Sequence, residues 1–152
     1  GELPYAPSGY MGNYNAIAVD AKHTESYSGE TALKISYRAR NDWYGVAFVD
    51  PANDWGDILG GYDLSEATSF SFWAKASDED VTAQIGFGLI KADQAFPDTD
   101  IKYLELKLTK KWKKYRINTK KLDLSCIRSG LVVFSSSDGF PHTIYIDEVV
   151  FE

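Results

Sequence analysis

The chain has 152 residues and a net charge of −6, with no dense basic stripe to neutralise phosphates, so nucleic acid is excluded as a ligand. An apolar share of 44% beside 25% charged residues fits a soluble, folded domain rather than a disordered one. No apolar run reaches the length of a membrane span, and a single cysteine, Cys126, rules out an intramolecular disulfide.

Residues 1–15 are rich in Gly, Pro, Tyr and Asn, which is loop chemistry, and no signal peptide is read at Gly1-Glu2-Leu3-Pro4. Ala16 to Asp20 reads as a short strand, followed by a turn at Ser26–Glu30. Leu33, Ile35, Tyr37 and Ala39 then alternate with Lys34, Ser36, Arg38 and Arg40, the period of two of a strand with one wet face. Trp43 to Asp50 is apolar on both sides, and because Trp43 and Tyr44 are adjacent they must point to opposite faces. Pro51 to Gly61 is a long loop carrying Trp55, and the best helical candidate is one turn near Asp63–Ala67.

Three further alternating runs follow, over 69–76, 84–89 and 103–108, with a loop at 91–100. Tyr115 and Ile117 alternate with Lys114 and Arg116, so the neighbouring lysines are expected on a solvated face. Leu131–Phe134 reads as a covered central strand and Thr143–Phe151 as the last. In that last run the apolar phase slips by one at Asp147-Glu148, which predicts a β-bulge there. Gly45, Gly86 and Gly88 fall inside strands, where either a large ring such as Trp73 lies over them or they floor a groove. About eight or nine strands without a helical stripe predict an all-β, antiparallel β-sandwich of jelly-roll type, one domain spanning 1–152.

Ser28-Gly29-Glu30-Thr31-Ala32-Leu33-Lys34-Ile35, the run from Gly61 to Lys75, Trp112-Lys113-Lys114-Tyr115 and Tyr145-Ile146-Asp147-Glu148-Val149 occur in that order. This ordered set resembles the β-jelly-roll, galactose-binding-like carbohydrate-binding modules, which are non-catalytic parts of secreted polysaccharide-degrading enzymes. The resemblance implies binding of a polysaccharide or oligosaccharide, membership of a larger multidomain enzyme, a secreted location, a monomeric state, and neither nucleic-acid nor membrane binding.

Sugar chemistry agrees with it. A pyranose has an apolar C–H face and a rim of hydroxyls, so its site needs uncovered aromatic rings and a few amides or carboxylates. With 10 Tyr, 8 Phe and 4 Trp there are rings to spare beyond the core. Trp43, Trp55, Tyr10 and Phe96 are the expected stacking rings, and Gln84, Asn53 and Asp54 the expected hydroxyl partners, whereas Trp73 and Trp112 read as structural. The resemblance further implies a structural calcium ion held by Asp147, Glu30 and Ser28, with Asp20, Glu25 or Glu2 completing the shell.

Two other readings stand beside this one. A jelly-roll glycoside hydrolase or lyase would draw on Asp50, Asp54 and Asp57 near the loop tryptophans. An adhesion sandwich would turn its exposed rings towards another protein.

Overall fold

The computed structural model describes residues 4–152, so Glu2 lies outside the described residues. Ten strands run in chain order: β1 Ala6–Gly12, β2 Ile17–His23, β3 Ala32–Tyr37, β4 Trp43–Val49, β5 Ser69–Ala76, β6 Val81–Phe87, β7 Lys102–Leu108, β8 Lys113–Asn118, β9 Ser129–Ser136 and β10 His142–Phe151. One sheet has the order β1-β4-β9-β6-β7 and the other β2-β3-β10-β5-β8, with every neighbouring pair antiparallel. The result is the expected jelly-roll sandwich, with two departures. The Gly/Pro-rich start forms β1 because its backbone pairs with β4 despite its loop-like composition, and Asp63–Ala67 holds only a turn.

Alternation explains the core. Val46 and Phe48 from β4, Ile85 and Phe87 from β6, and Leu131 and Val133 from β9 point inward from the first sheet. Ile35 and Tyr37 from β3, Phe70 and Phe72 from β5, and Ile144 and Ile146 from β10 meet them from the second. Each such side chain contributes roughly 1.5–3 kcal/mol by leaving water. Tyr37 and Tyr44 stack between the sheets with ring centroids 4.1 Å apart. The predicted bulge is present: the β10–β5 register shifts between Asp147 and Val150, and Glu148 adopts φ 51°.

Because the first sheet turns these residues inward, the opposite phase of each of its strands faces out. Trp43, Gly45, Ala47 and Val49 lie outward on β4, and cross-strand pairing extends that phase sideways. Met11, Gly45, Phe134, Gln84 and Glu105 form one row across all five strands. Gly9, Ala47, Val132, Gly86 and Tyr103 form the next.

Candidate functional site

Phe134, Gln84 and Glu105 of the first row, with Trp43, Thr82, Lys107 and Ser136 beside them, line a cleft of about 750 Å³ on the outer face of the first sheet. Trp43 is 55% exposed while its neighbour Tyr44 is fully buried, as their alternation requires. Gly12 lets the indole settle: it adopts φ 68°, and a Cβ there would lie 2.9 Å from the Trp43 ring. The Phe134 ring stands 6.4 Å from Trp43 and 5.9 Å from Tyr103, centroid to centroid, so three rings cross the face diagonally.

The interior glycines serve this face. A Cβ on Gly45 would come within 2.6 Å of the Phe134 ring, and one on Gly86 within 2.8 Å of the Tyr103 ring. The rings lying over the glycines are therefore Phe134 and Tyr103, not Trp73, and Phe134 itself lines the cleft. Tyr103 also donates its hydroxyl to the Gly88 carbonyl, and burial, helped by the Asp98 charge, raises its phenol pKa so that it remains a donor. At the polar wall the Gln84 amide donates to Glu105 Oε1 at 3.3 Å, and both side chains are exposed. This pair offers a sugar two acceptors and a donor.

Trp55 belongs to the same face. A Cβ on Gly9 would meet its ring at 2.8 Å and the Ala47 methyl at 2.9 Å, which places the indole over the second row, 39% exposed. Trp43 and Ala47 are four residues apart on β4, so the two indoles are separated by about 13 Å along the strand. That span leaves room for more than one sugar ring between them.

Loop residues around Trp55 are held by a buried arginine. Arg128, with a fully buried side chain, donates to Asp54 Oδ2 at 2.6 Å, to the Asp50 carbonyl at 3.0 Å and to the Phe96 carbonyl. Phe96 N–H reaches the Gly56 carbonyl at 3.0 Å, so the loop bearing Phe96 is stitched to the loop bearing Trp55. Buried Asp98 ties the same region down, accepting from the N–H groups of Leu89, Ile90, Arg128 and Ser129 and from the Ser129 hydroxyl.

The Asp54 carboxylate, expected as a hydroxyl partner, is thereby held by Arg128. Its burial opposes ionisation, but the Gly56 N–H, the Arg128 guanidinium and the N–H groups of Ile58 and Asp57 outweigh that and hold the carboxyl below its usual range. Asn53, exposed at φ 63°, gives its backbone N–H to Ser8 Oγ at 2.9 Å. Tyr10 also departs from expectation. It pairs with the buried Val46, so it stands on the opposite phase from Met11, at the edge of the sheet, with its hydroxyl on the Pro7 carbonyl at 3.1 Å.

The expected calcium ligands do not fit a calcium shell. Asp147 Oδ2 accepts the Tyr27 and Ser28 N–H groups at 2.9 and 3.0 Å, and Oδ1 accepts the Glu148 N–H at 2.8 Å. The Ser28 hydroxyl donates to Glu148 Oε1 at 2.5 Å, Glu30 is exposed in the turn, and Asp20 lies on β2 beside His23. Calcium needs converging oxygen lone pairs, whereas this carboxylate faces three N–H hydrogens that already supply the positive charge. Glu25 pairs with Lys75 instead.

Phe134, Tyr103, Glu105 and Arg128 were not singled out by sequence reasoning. Tyr103, Glu105 and Lys107 did carry a signal, as the outward phase of an alternating strand. Phe134 lay in a run apolar on both sides, and nothing local marks Arg128.

Comparison with known proteins bears on the fold and the family. The family model for carbohydrate binding domain 30 matches residues 6–152. No curated protein matches the chain. Among solved structures, the family 30 carbohydrate-binding module of the cellulosomal cellulase Cel9D-Cel44B of Clostridium thermocellum aligns with a TM-score of 0.66 at 14% identity, covering 97% of this chain and 91% of that one. A second family 30 module aligns with a TM-score of 0.61 at 15% identity, covering 99% and 96%. TmCBM61 in complex with β-1,4-galactotriose aligns with a TM-score of 0.57 at 13% identity, covering 97% and 90%. At these identities the structural likeness speaks for the sandwich fold alone, but the family match spans nearly the whole chain. The protein therefore belongs to the carbohydrate binding domain 30 family.

Proposed function

We propose that the cleft on the outer face of the β1-β4-β9-β6-β7 sheet holds a polysaccharide chain without cleaving it, and that residues 1–152 act as one binding unit that brings an attached, secreted polysaccharide-degrading enzyme to its substrate. The observation that carries this reading is the diagonal of Trp43, Phe134 and Tyr103, extended by Trp55 and flanked by the Gln84–Glu105 pair. Flat rings receive the C–H faces of successive sugars, and the amide and carboxylate receive their hydroxyls. Affinity is expected to be modest, because desolvating hydroxyls offsets much of what their new hydrogen bonds supply.

Two of the three carboxylates weighed for hydrolysis are otherwise engaged. Asp54 is bound to Arg128 and Asp50 Oδ2 accepts the Gly61 N–H at 2.8 Å, which leaves Asp57 as the one of the three without a side-chain partner among the described residues. A glycosidase needs two free carboxyls across one bond, so this loop supports binding. The monomeric state follows from the same reading, with the groove working as a self-contained site.

The neighbours suggest which sugars to try: one is part of a cellulase and another was solved with β-1,4-galactotriose. Affinity electrophoresis against cellulose derivatives, xylan, mannan, β-1,3-glucan and galactans tests the proposal. Retardation by at least one of them, clearly weakened in Trp43→Ala, is the expected result. Release of reducing sugar from any of them would replace it with the enzyme reading.

A further inference from the structure

The far side of the sandwich carries chemistry that the groove does not use. On the outer face of the β2-β3-β10-β5-β8 sheet, Ser36 lies opposite Thr143, Lys34 opposite Tyr145 opposite Lys75, and Asp147 opposite Trp73 opposite Lys114. Two loops add rings. Tyr27 stacks on Trp73 at 3.7 Å and 13°, and Trp112 meets Tyr27 edge-on at 6.2 Å and Tyr145 at 6.5 Å. Tyr27 is pinned there by Asp147 through the N–H groups of Tyr27 and Ser28, and is still 44% exposed on its outer side.

Of the charges on this platform Lys75 is neutralised, whereas Lys34 and Lys114 make no ion pair among the described residues. Lys75 pairs with Glu25 and sits over the faces of Trp112 and Tyr145, 5.3 and 4.9 Å from their centroids. Beside the rings opens a cleft of about 270 Å³ lined by Ser36, Arg38, Ser77, Pro141, His142 and Thr143. Among the described residues Arg38 makes no ion pair, and it is exposed. An exposed ring, Tyr27, beside a hydroxyl-lined cleft with an unpaired guanidinium is what a neutral pyranose chain requires. A protein partner would need a continuous face of about 800 Å², and here the rings are interrupted by the Lys75–Glu25 pair.

We propose that this face is a second glycan-binding track. One sugar stacks on the outer side of Tyr27 against the edge of Trp112, and the chain continues with its hydroxyls among Ser36, Thr143 and Arg38. The two tracks lie on opposite outer faces of the sandwich, so one domain holds two polysaccharide chains at once and gains avidity on a packed substrate. This inference rests on the carbohydrate-binding reading of the groove.

The test is an NMR titration of the full ¹⁵N-labelled chain and its Trp43→Ala variant with cellohexaose, xylohexaose, mannohexaose, laminarihexaose and β-1,4-galactotriose. A sugar that occupies both faces is expected to shift the Trp112 indole N–H and the Ser36, Ser77 and Thr143 amides. Those shifts persist in Trp43→Ala, while the Gln84 side-chain amide no longer responds. Arg38→Ala is expected to weaken the back-face response at least fivefold in apparent Kd. Shifts confined to the groove sheet, or abolished everywhere by Trp43→Ala, overturn the second track and leave the groove standing. No response on either face to any of the five sugars overturns both.

Discussion

Truncating Trp43 removes a ring whose exposed part has no counterpart in the core. The free protein shows 55% of this residue to solvent, while Gly12 and Phe134 support the rest. A Trp side chain offers about 250 Å², so roughly 130 Å² is open to a ligand, and a stacked sugar covering half of that removes about 70 Å² from water. At about 25 cal/mol per Å² this contributes about 1.7 kcal/mol, or roughly a 15- to 20-fold change in Kd. Calorimetric titration of Trp43→Ala with the sugar found by electrophoresis should therefore show a loss of that order, with Trp43→Phe falling between. The supported part of the indole also packs, so the melting temperature should drop by several degrees without loss of the native far-UV spectrum. A folded Trp43→Ala variant whose Kd stays within twofold of the parent would refute the stacking argument and place the site elsewhere.

Three further outcomes follow from the packing. His142 is buried between Tyr44, whose hydroxyl lies 2.6 Å from Nε2, and the hydroxyls of Ser135 and Ser137. Burial lowers its pKa, and the Asp78 charge only partly opposes that. An unfolded chain protonates this side chain near pH 6.5, so below that value the unfolded state binds more protons and stability falls as the pH drops towards the lower native value. Urea midpoints should decline as the pH falls below about 6.5 in the parent, and less steeply in His142→Gln; equal slopes in both would discount the histidine. Gly45→Ala forces a methyl to within 2.6 Å of the Phe134 ring and 2.9 Å of the Met11 terminus. The overpacking should cost about 1–3 kcal/mol and displace a groove ring, lowering the denaturation midpoint and the sugar affinity together. Asp147→Asn exchanges one acceptor oxygen for an amide that faces N–H groups, for a loss of about 1–3 kcal/mol, read as a lower melting temperature. Since those N–H groups already neutralise the parent's carboxylate, chelator should leave its melting temperature unchanged, and a rise on adding calcium would restore the metal site.

Sandwich and strand faces were legible because period-two alternation is a local property. It separated Trp43 from Tyr44, identified the β3 pattern of Leu33, Ile35 and Tyr37, and placed the bulge at Asp147-Glu148 through a one-residue slip in phase. The same logic failed at β1, where Pro7, Gly9 and Gly12 read as loop until pairing with β4 overrode their weak strand preference. Nor does it show the surroundings of Tyr10 and Asp54, which depend on residues far along the chain.

By itself, then, the sequence determined which residues alternate and therefore which could share a face. It did not determine which strands would be neighbours, because register is fixed by contacts between distant segments. Only the tertiary structure set β9 between β4 and β6, carrying Phe134 and Gln84 beside Glu105 on β7, and buried Arg128 where it reaches Asp54 across 74 residues. The groove is a product of that strand order, since its rings come from β4, β7, β9 and a loop that meet nowhere along the chain.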